Sequence, residues 1–489
     1  NVALPDMAGD LRTTFGSLQW VVDAYALTLA ALVLGTGSIA DLVGHRRAYA
    51  AGLALFAVSS LACGLSPNSG ALIAARAVQG VGAAAMFATT FALLNSNYTG
   101  RDRGTAYGMW GAVAGASAAV GPIVGGLLTE AISWRWIFFV NLPVSVLAIT
   151  LCLVVLQDAH APIQSRVDLA GMVTFTAAAA AATYGLIRAN EHGWSSLGTW
   201  GTLVASAVLL AAFVAVEQRT DRPMLDLALM RNRSFVGVLL GGLLLTFAAF
   251  AAFTYTSIWL QSVLGLSPIQ AGLTGLPLSI ASFAVSAAIG RFLHGTRPGP
   301  IIGGGLLFIG VGGLISAALV HGSASWPALI PGFLVAGIGV GLATPTLGSA
   351  AMSAVPPQRG GMAAGAVNTA RQLGFAFGIA ALGSVFATRA QGVLGDRHVP
   401  SPAGVAQALA GGQAPAILRA APASVRSALD SALHAAAVGG VQLTFLVSGV
   451  VGVLAGFAVL ALVRPTKTDG AADGPGDVAA KEPEAPVRA

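Results

Sequence analysis

Charge is what this sequence has least of. Only 9% of its 489 residues are Asp, Glu, Lys or Arg, and the two lysines, Lys467 and Lys481, lie near the carboxyl terminus. Soluble domains carry roughly 25% charged residues, and a soluble chain of this length needs polar surfaces over several domains. The composition therefore excludes a soluble multidomain enzyme and a disordered chain. It also excludes a nucleic-acid binder, because the net charge of +6 is spread over short loops and forms no patch.

Cysteine is nearly absent as well. Cys63 and Cys152 both lie in apolar runs, which argues against a disulfide framework or a cysteine-based metal site. The sequence also lacks a Walker loop and an HExxH pattern, and its short loops leave little room for a nucleotide-hydrolysing domain. We therefore expect no enzymatic activity, no cofactor and no bound metal.

Long apolar runs dominate the sequence, of which 55% is hydrophobic. Each run has about 20 residues, enough to cross a hydrocarbon core of ~30 Å. The runs are continuous, whereas an outer-membrane barrel would show alternating strands of ~10 residues. The pattern predicts an all-α integral membrane protein with thirteen spans at 17–40, 48–66, 70–94, 105–128, 136–156, 169–187, 198–216, 235–262, 269–293, 300–320, 326–353, 362–387 and 439–463.

The first residues and the arginines extend this prediction. The chain opens at Asn1 without an initiator Met, and we expect a truncated first helix before the thirteen spans, hence fourteen in all. Alternate short loops hold twelve arginines on one side and three, Arg12, Arg135 and Arg188, on the other. By the positive-inside rule, loop 41–47 is cytoplasmic. We expect a multi-pass protein of the plasma membrane.

The spans group into two bundles. We predict a first six-helix bundle over 1–156 with its first helix incomplete, and two inserted spans with a cytoplasmic loop over 157–234. A second six-helix bundle follows over 235–464 with an extracellular loop at 388–438. A disordered tail covers 465–489. Six plus two plus six spans indicate a duplicated transporter, whose substrate site would lie between the halves near the midplane.

One loop within this arrangement has two interpretations. Residues 217–234 either lie on the inner membrane surface, with Leu225, Leu227 and Leu229 toward lipid, or form an ordinary charged loop.

A turn motif joins the first two complete spans. It contains Gly37, Asp41, Gly44, Arg46 and Arg47. Glycine permits a tight turn and close helix approach. Asp41 can cap the next helix or pair with an arginine across the bundle interface, and such a pair can act as a two-state latch. The alternative is a turn that only carries positive-inside charges.

Two ionisable residues lie inside apolar spans. Asp23 and Arg76 are each about six residues, or ~9 Å, from the same end of their helices. Charge at this depth is costly and indicates a functional site with a partner. We predict that the two residues couple proton binding to transport. The alternatives are a structural ion pair for Asp23 and a snorkelling side chain for Arg76.

A glycine-rich span carries the motif of Gly115, Gly121, Pro122, Gly125 and Gly126. Proline removes a backbone donor and bends a helix, while glycine lets a neighbouring helix pack closely or slide. Ordinary packing is the alternative.

Several polar and aromatic residues in the spans are candidates to line a substrate cavity. Asn368, Arg371 and Gln372 recur at helical spacing near the midplane, where they can face a wet cavity or form interhelical hydrogen bonds. The other candidates, each of which is otherwise an interface anchor or a packing residue, are Trp20, Tyr25, Gln79, Trp259 and Gln261.

Together these motifs resemble the major facilitator superfamily, and within it the fourteen-span drug:proton antiporter branch. The resemblance rests on residues 37–47, on Arg76 with Gln79 and Gly80, and on 121–126. Three further segments reinforce it: 133–143, 223–235 and 368–378. It implies that 37–47 gates the inward face, that Arg76 takes part in proton coupling, and that 121–126 marks proton-coupled exporters.

Three departures from the family pattern are present. The second-half counterpart of the turn motif, 290–299, has lost its Asp, so we expect it to latch less. His45 replaces a more usual Arg. We expect that the first helix, which carries an acidic residue in many relatives, is truncated in this sequence.

The resemblance implies a function. We expect exchange of external protons for cytoplasmic, amphipathic, cationic or neutral drug-like molecules, by rocking of two bundles in a lipid bilayer. We expect the protein to act as a monomer. The alternatives are a dedicated exporter of one endogenous secondary metabolite or antibiotic, and a membrane-embedded sensor or enzyme.

Overall fold

The computed structural model describes residues 7, 10–11, 13, 15–156, 168–220, 223–290, 297–322, 324–356 and 359–463. The tail at 465–489, Arg12, and most of the 290–299 segment lie outside these residues. Throughout the described ranges the chain is helical, with short connections and no strands.

The first part of the chain forms seven long helices, whose ends have local causes. Asn68 caps one of them by accepting a hydrogen bond from the Ala71 amide at 2.9 Å, and Gly44, with φ of 97°, separates the first two. The seven are α1 (Phe15–Val43), α2 (His45–Gly64), α3 (Ser69–Asn97), α4 (Gly100–Ala131), α5 (Trp136–Phe139 continued by Asn141–Val155), α6 (Leu169–His192) and α7 (Leu197–Glu217).

The second part forms six more long helices. The first of them contains two π-helical stretches, Thr246–Ala251 and Trp259–Val263. The six are α8 (Arg233–Val263), α9 (Pro268–Leu273 continued by Leu276–Ile289), α10 (Pro298–Leu319), α11 (Ile330–Ser353), α12 (Gly360–Asp396) and α13 (Ala423–Leu462).

The predicted extracellular loop 388–438 is mostly helical. Helix α12 continues to Asp396 and α13 begins at Ala423, with short helices Pro402–Ala410 and Ala414–Ala420 between them. Alanine favours the helix, and Leu394 and Leu433 join one buried cluster at this end of the bundle. The helical ends are therefore held by packing as well as by propensity.

Twelve helices in the described ranges are long and apolar enough to cross a membrane. All thirteen predicted spans fall on helices, but the span at 105–128 lies in α4, which has 32 residues and is not among the twelve. Twelve candidate spans are thus what the described residues show, and fourteen stays a prediction.

Two helix pairs make the most extensive contacts between the predicted bundles. Helix α1 packs against α12, and α4 packs against α9. Helices α5 and α7 instead turn apolar side chains such as Val154 and Val208 outward, 76% and 63% exposed, as a lipid-facing helix does. Helices α1, α4, α9 and α12 form much of the interface between the halves, to which α3 adds contacts with α12 and α11 adds contacts with α4.

Alternate connections lie at one end of the bundle. They join α1 to α2, α3 to α4, α7 to α8 and α11 to α12, and they carry Arg46, Arg101, Arg231 and Arg359. We call this the arginine-rich end.

Candidate functional site

A cavity of about 760 Å³ lies between the two halves. One wall comes from α1 to α5 and the other from α8, α9 and α12. Its lining residues belong to the parts of these helices that are remote from the arginine-rich end. Val21 lies near the amino end of α1, and Gln261 lies near the carboxyl end of α8. Chain entering α1 from this remote end contributes Met7.

The structure divides the predicted cavity residues into two sets. Tyr25, Gln79 and Gln261 line the cavity, together with Arg76. The remaining candidates are not among its lining residues: Trp20, Trp259, Asn368, Arg371 and Gln372.

Packing explains where these other candidates lie. Trp259 is fully buried within the second half. Asn368 donates to the carbonyl oxygen of Phe87 at 3.0 Å and to that of Ala364 at 3.1 Å, which is the interhelical hydrogen bonding considered as its alternative role.

Arg76 is the centre of a polar network in the cavity wall. Its Nε donates to the carbonyl oxygen of Val21 at 3.0 Å, and its Nη1 donates to Oε1 of Gln79 at 2.6 Å. Nε2 of Gln79 donates to Oγ of Ser60 at 2.6 Å, which also accepts from Nδ2 of Asn141 at 3.0 Å. The guanidinium carbon lies 4.2 Å from the centre of the Tyr25 ring, a cation–π contact. The network joins α1, α2, α3 and α5.

Asp23 lies on a different side of α1 from this network. Val21 and Tyr25 face Arg76, and Asp23 is two residues from each, which is about 200° around a helix. Trp20, one turn before Asp23, contacts the ring of Tyr184 on α6 with the ring centres 5.8 Å apart. The contacts of Arg76 go to Val21, Gln79, Tyr25 and Phe138, so the structure does not bring Asp23 and Arg76 together as an ion pair.

Asp41 joins the two halves at the arginine-rich end. Its Oδ1 accepts from the Gly361 amide at 2.7 Å and its Oδ2 from the Met362 amide at 2.9 Å. These amides lie in the first turn of α12, where backbone N–H groups lack helical partners and the helix dipole favours a negative charge. The sequence offered an arginine or the next helix as partner, whereas the observed partner is the start of a helix in the other half.

The rest of the turn motif surrounds this contact. A Cβ on Gly37 would collide with the carbonyl group of Gly361, so a larger residue is incompatible with this approach of the helices. Nε2 of His45 lies 2.7 Å from Oδ1 of Asp41. Arg46 donates to the carbonyl oxygen of Leu153, while Arg47 is exposed in the first turn of α2. We call Asp41 with the first turn of α12 the latch.

Residues 223–231, between α7 and α8, bind several elements at the same end. Oγ of Ser38 on α1 donates to the Met224 carbonyl at 3.3 Å. The Met224 amide donates to Asp168 and the Leu225 amide to Glu217, both at 3.4 Å. We call residues 223–231 the clasp.

The clasp also reaches the second half. Asp226 accepts from Nη1 of Arg359 at 2.9 Å, one residue before α12. Of the two interpretations of residues 217–234, the one that turns Leu225 toward lipid is wrong, because its side chain is only 9% exposed and packs in the core with Phe213 and Phe235.

Helix α4 has two distinct parts. Near the arginine-rich end, a Cβ on Gly108 would lie 2.6 Å from Cα of Gly290, and one on Gly111 or Gly115 would meet the side chains of Ser286 or Ser282 on α9. Further along, Gly121 and Gly125 line the cavity, and a Cβ there would meet no described atom within 4 Å. Gly126 is buried, and the side chain of Pro122 lies outside the described part.

Comparison with known proteins agrees with this architecture. The family model described as Major Facilitator Superfamily matches residues 1–379. The chain belongs to the major facilitator superfamily. It is a multi-pass transporter of the plasma membrane and not an enzyme.

Members of the superfamily with 30% identity or more include named resistance proteins. The chain is 36% identical to the multidrug resistance protein Stp of Mycobacterium tuberculosis, over 82% of this chain and 75% of that protein. It is 36% identical to the puromycin resistance protein pur8 of Streptomyces alboniger, over 82% and 80%. It is 31% identical to the tetracenomycin C resistance and export protein of Streptomyces glaucescens, over 96% and 88%.

Solved structures of superfamily members share the fold. The human organic anion transporter MFSD10 (TETRAN) aligns with a TM-score of 0.59 at 14% identity, covering 93% of this chain and 88% of that one. The proton:xylose symporter XylE aligns with a TM-score of 0.56 at 13% identity, covering 94% and 91%.

Sequence reasoning missed several residues of the site. The amides of Gly361 and Met362 belong to the backbone and leave no signal in the side chains. Ser60 lies outside the named motifs, and Asn141 lies in the segment 133–143 without having been assigned a role. The pair of Asp226 and Arg359 is separated by 133 residues. Only opposite charge in two loops at the same end could have suggested it.

Proposed function

We propose that this transporter exports amphipathic, drug-like molecules in exchange for protons by alternating access. The observation that carries the proposal is the large cavity between the halves, combined with the latch that joins the halves at the arginine-rich end. The names of the related resistance and export proteins support export as the direction. With twelve arginines on that side, the arginine-rich end would be cytoplasmic, and the cavity belongs to an outward-facing state.

The inward-facing state would require the latch and the clasp to separate. Asp41 would leave the first turn of α12, Asp226 would leave Arg359, and Gly108 of α4 would move away from Gly290, which directly follows α9. Each of these contacts joins parts that must move apart for a cavity to open toward the cytoplasm. The inserted pair α6–α7 then contributes to gating through the clasp, whose amides bind Asp168 and Glu217.

For proton coupling we propose that Asp23 binds the proton and that Arg76 transmits the protonation state of Asp23 to the cavity. Asp23 lies on apolar helix α1, one turn after Trp20, whose ring contacts Tyr184 on α6, while Arg76 donates to the backbone of α1 at Val21. Movement of α1 would transmit protonation from one face to the other. We place the protein in the fourteen-span drug:proton antiporter branch, acting as a monomer.

The test uses the full-length protein in liposomes loaded with a fluorescent amphipathic dye. A pH difference across the membrane should accelerate dye transport at least several-fold over liposomes at equal pH. Because each dye molecule is exchanged for protons, dye that leaves the liposomes should acidify their interior. Dye transport of equal rate with and without the pH difference would contradict proton antiport. Empty liposomes and an ionophore that collapses the gradient are the controls.

A dedicated exporter of one endogenous antibiotic is the second candidate. The relative that covers 96% of the chain is named for tetracenomycin C resistance and export, which favours a narrow substrate range. A panel of chemically unrelated compounds distinguishes the two, since a dedicated exporter should transport one compound class and a multidrug exporter several.

A further inference from the structure

The charge on the transport path has one sign in the described part of the chain. Arg76 is the only charged residue among the described residues that line the cavity, and no described carboxylate does so. A guanidinium in a wall that is otherwise apolar or neutral loses hydration, and it is stable there only with strong hydrogen-bond acceptors. The cavity therefore offers a poor environment for a cationic ligand and a favourable one for an anion.

The bonds of Arg76 leave donors for such a ligand. A guanidinium has five N–H groups in a planar fork. One binds the Val21 carbonyl and one binds Gln79, and the Tyr25 ring covers one face. Within the described residues, the other three N–H groups make no hydrogen bond, and the side chain borders the cavity. They can donate to both oxygens of a carboxylate in bidentate geometry, or to the oxygen of a phenolate or quinone.

A second guanidinium continues the path. Arg371 lies four residues before Phe375 on α12, so the two share a face, and Arg371 is about 6 Å closer to the arginine-rich end. Phe375 lines the cavity, whereas Arg371 is not among the lining residues and has its stem against Gly242 of α8. No ion pair recorded for the described residues includes Arg371. An inward-facing cavity would expose it to a substrate from the other side.

The rest of the cavity wall favours aromatic molecules. Phe250 and Phe253 on α8 and Phe375 on α12 stand across the cavity from Tyr25 and Phe138. Rings on both walls bind a flat apolar ligand by stacked or edge contacts, while neutral polar groups such as Gln261 and Thr254 can fix its oxygen atoms.

We propose that the substrates are aromatic molecules with an anionic or acceptor-rich oxygen group, held by Arg76 in this state and by Arg371 in the inward-facing state. This rests on the proposed function only in taking the cavity as the transport site. It narrows the substrate class to one opposite in charge to quaternary-ammonium compounds.

Two xanthene dyes test the charge preference without transport. Fluorescein is an anion at neutral pH, and tetramethylrhodamine methyl ester has the same ring system with a positive charge. Binding of each to the purified full-length protein is measured by fluorescence anisotropy. We expect fluorescein to bind at least about tenfold more tightly, which corresponds to roughly 1.4 kcal/mol. Equal binding, tighter binding of the cation, or no binding of fluorescein would overturn the proposal.

Variants then assign the preference to the two arginines. Arg76→Gln should weaken fluorescein binding about tenfold or more and reduce the selectivity between the dyes. Arg371→Gln should leave binding to the outward-facing state nearly unchanged and slow fluorescein efflux. The matched control is Arg389→Gln, which removes the same charge from an exposed position on α12. A folded Arg76→Gln variant that binds fluorescein like the unmodified protein would contradict the assignment. If that variant does not fold, the selectivity of the unmodified protein between the two dyes still tests the proposed substrate charge.

The same dyes separate this inference from the proposed antiport. Selective fluorescein binding without proton-driven efflux would refute antiport and support the substrate class. Proton-driven efflux of the rhodamine ester with no transport of fluorescein would support antiport and refute the substrate class.

Discussion

At the scale of single residues, Asp41 has the most localised role. Each of its carboxylate oxygens accepts a hydrogen bond from one backbone amide of α12. Its substitution therefore removes two charge-assisted hydrogen bonds from the closed arginine-rich end, which we call the gate. Asp41→Ala should cost the closed gate about 1–2 kcal/mol, the range of a lost helix cap. The population open at the arginine-rich end should rise roughly fivefold to thirtyfold.

Thiol labelling measures this population. Ala363 is fully buried beside the latch, so Ala363→Cys reports opening when an impermeant thiol reagent is added on the cytoplasmic side. Labelling should be faster in the Asp41→Ala background than with Asp41 present. Asp430→Asn, on an exposed part of α13, is the control for loss of a carboxylate. Unaltered labelling in the Asp41→Ala background would show that the latch does not hold the gate.

Asp23 supports a second prediction at this scale. Asp23→Asn keeps the size of the side chain and removes its ability to exchange a proton. We expect proton-driven efflux to fall to the rate seen without a gradient, while exchange of labelled for unlabelled substrate continues. Parallel assays in liposomes measure both rates at equal protein content. Retention of full gradient-driven efflux would remove Asp23 from the coupling step.

At the scale of helices, close contact of α4 with α9 limits what the gate tolerates. A methyl group on Gly108 would lie 2.6 Å from backbone atoms of both Gly290 and Ser286, closer than real side chains approach, and backbone cannot rotate away. Gly108→Ala should hold the arginine-rich end apart and slow efflux at unchanged protein abundance. Gly304→Ala on α10 is the matched control, because a Cβ there meets nothing within 4 Å. Equal loss of efflux in both variants would point to a general effect of alanine.

The clasp gives a smaller expected effect. The side chains of Asp226 and Arg359 are 36% and 41% exposed, and exposed ion pairs contribute roughly 0.2–1 kcal/mol. Asp226→Asn and Arg359→Gln should each increase labelling at Ala363→Cys by less than about fivefold. The double variant should add little to either single one, because the same contact is lost. Fully additive effects would mean that the two residues act separately.

Helices were the part of this fold most open to prediction from sequence. Lipid requires about 20 continuous apolar residues per span, and every one of the thirteen predicted spans falls on a helix. Rotation about the helix axis was less predictable. Asp23 and Arg76 were predicted at similar depth in their helices, α1 and α3, but the apolar residues around both helices give no sequence signal for which face turns inward.

Contacts through backbone groups were beyond prediction. Asp41 was recognised by its motif, whereas its hydrogen-bond donors on Gly361 and Met362 are backbone amides, which every residue except proline possesses. The sequence left two interpretations of residues 217–234 open for a related reason, and only the packing of Leu225 against Phe213 and Phe235 shows that this leucine contacts protein and not lipid.

At the scale of the whole molecule, ligand binding and gate closure should depend on each other. A ligand that fills the cavity of this state stabilises the state by RT ln(1 + [L]/Kd), about 2.7 kcal/mol at a ligand concentration one hundred times Kd. Binding of the same ligand to the inward-facing state reduces this stabilisation. Saturating dye should therefore slow cytoplasmic labelling at Ala363→Cys. The measurement is the labelling rate across a dye titration, with a dye that does not bind as control. Faster labelling at saturation would mean that the dye prefers the other state.

The choice of partner for Asp41 restricts how a damaged gate can be repaired. A broken pair of oppositely charged side chains can be restored by swapping acid and base, but a peptide N–H group stays a donor under every substitution except proline, which removes it. An acceptor must therefore stay on α1, and a basic residue at position 41 would have no complementary mutation on α12. Suppressors of Asp41 variants should map to other contacts between the halves.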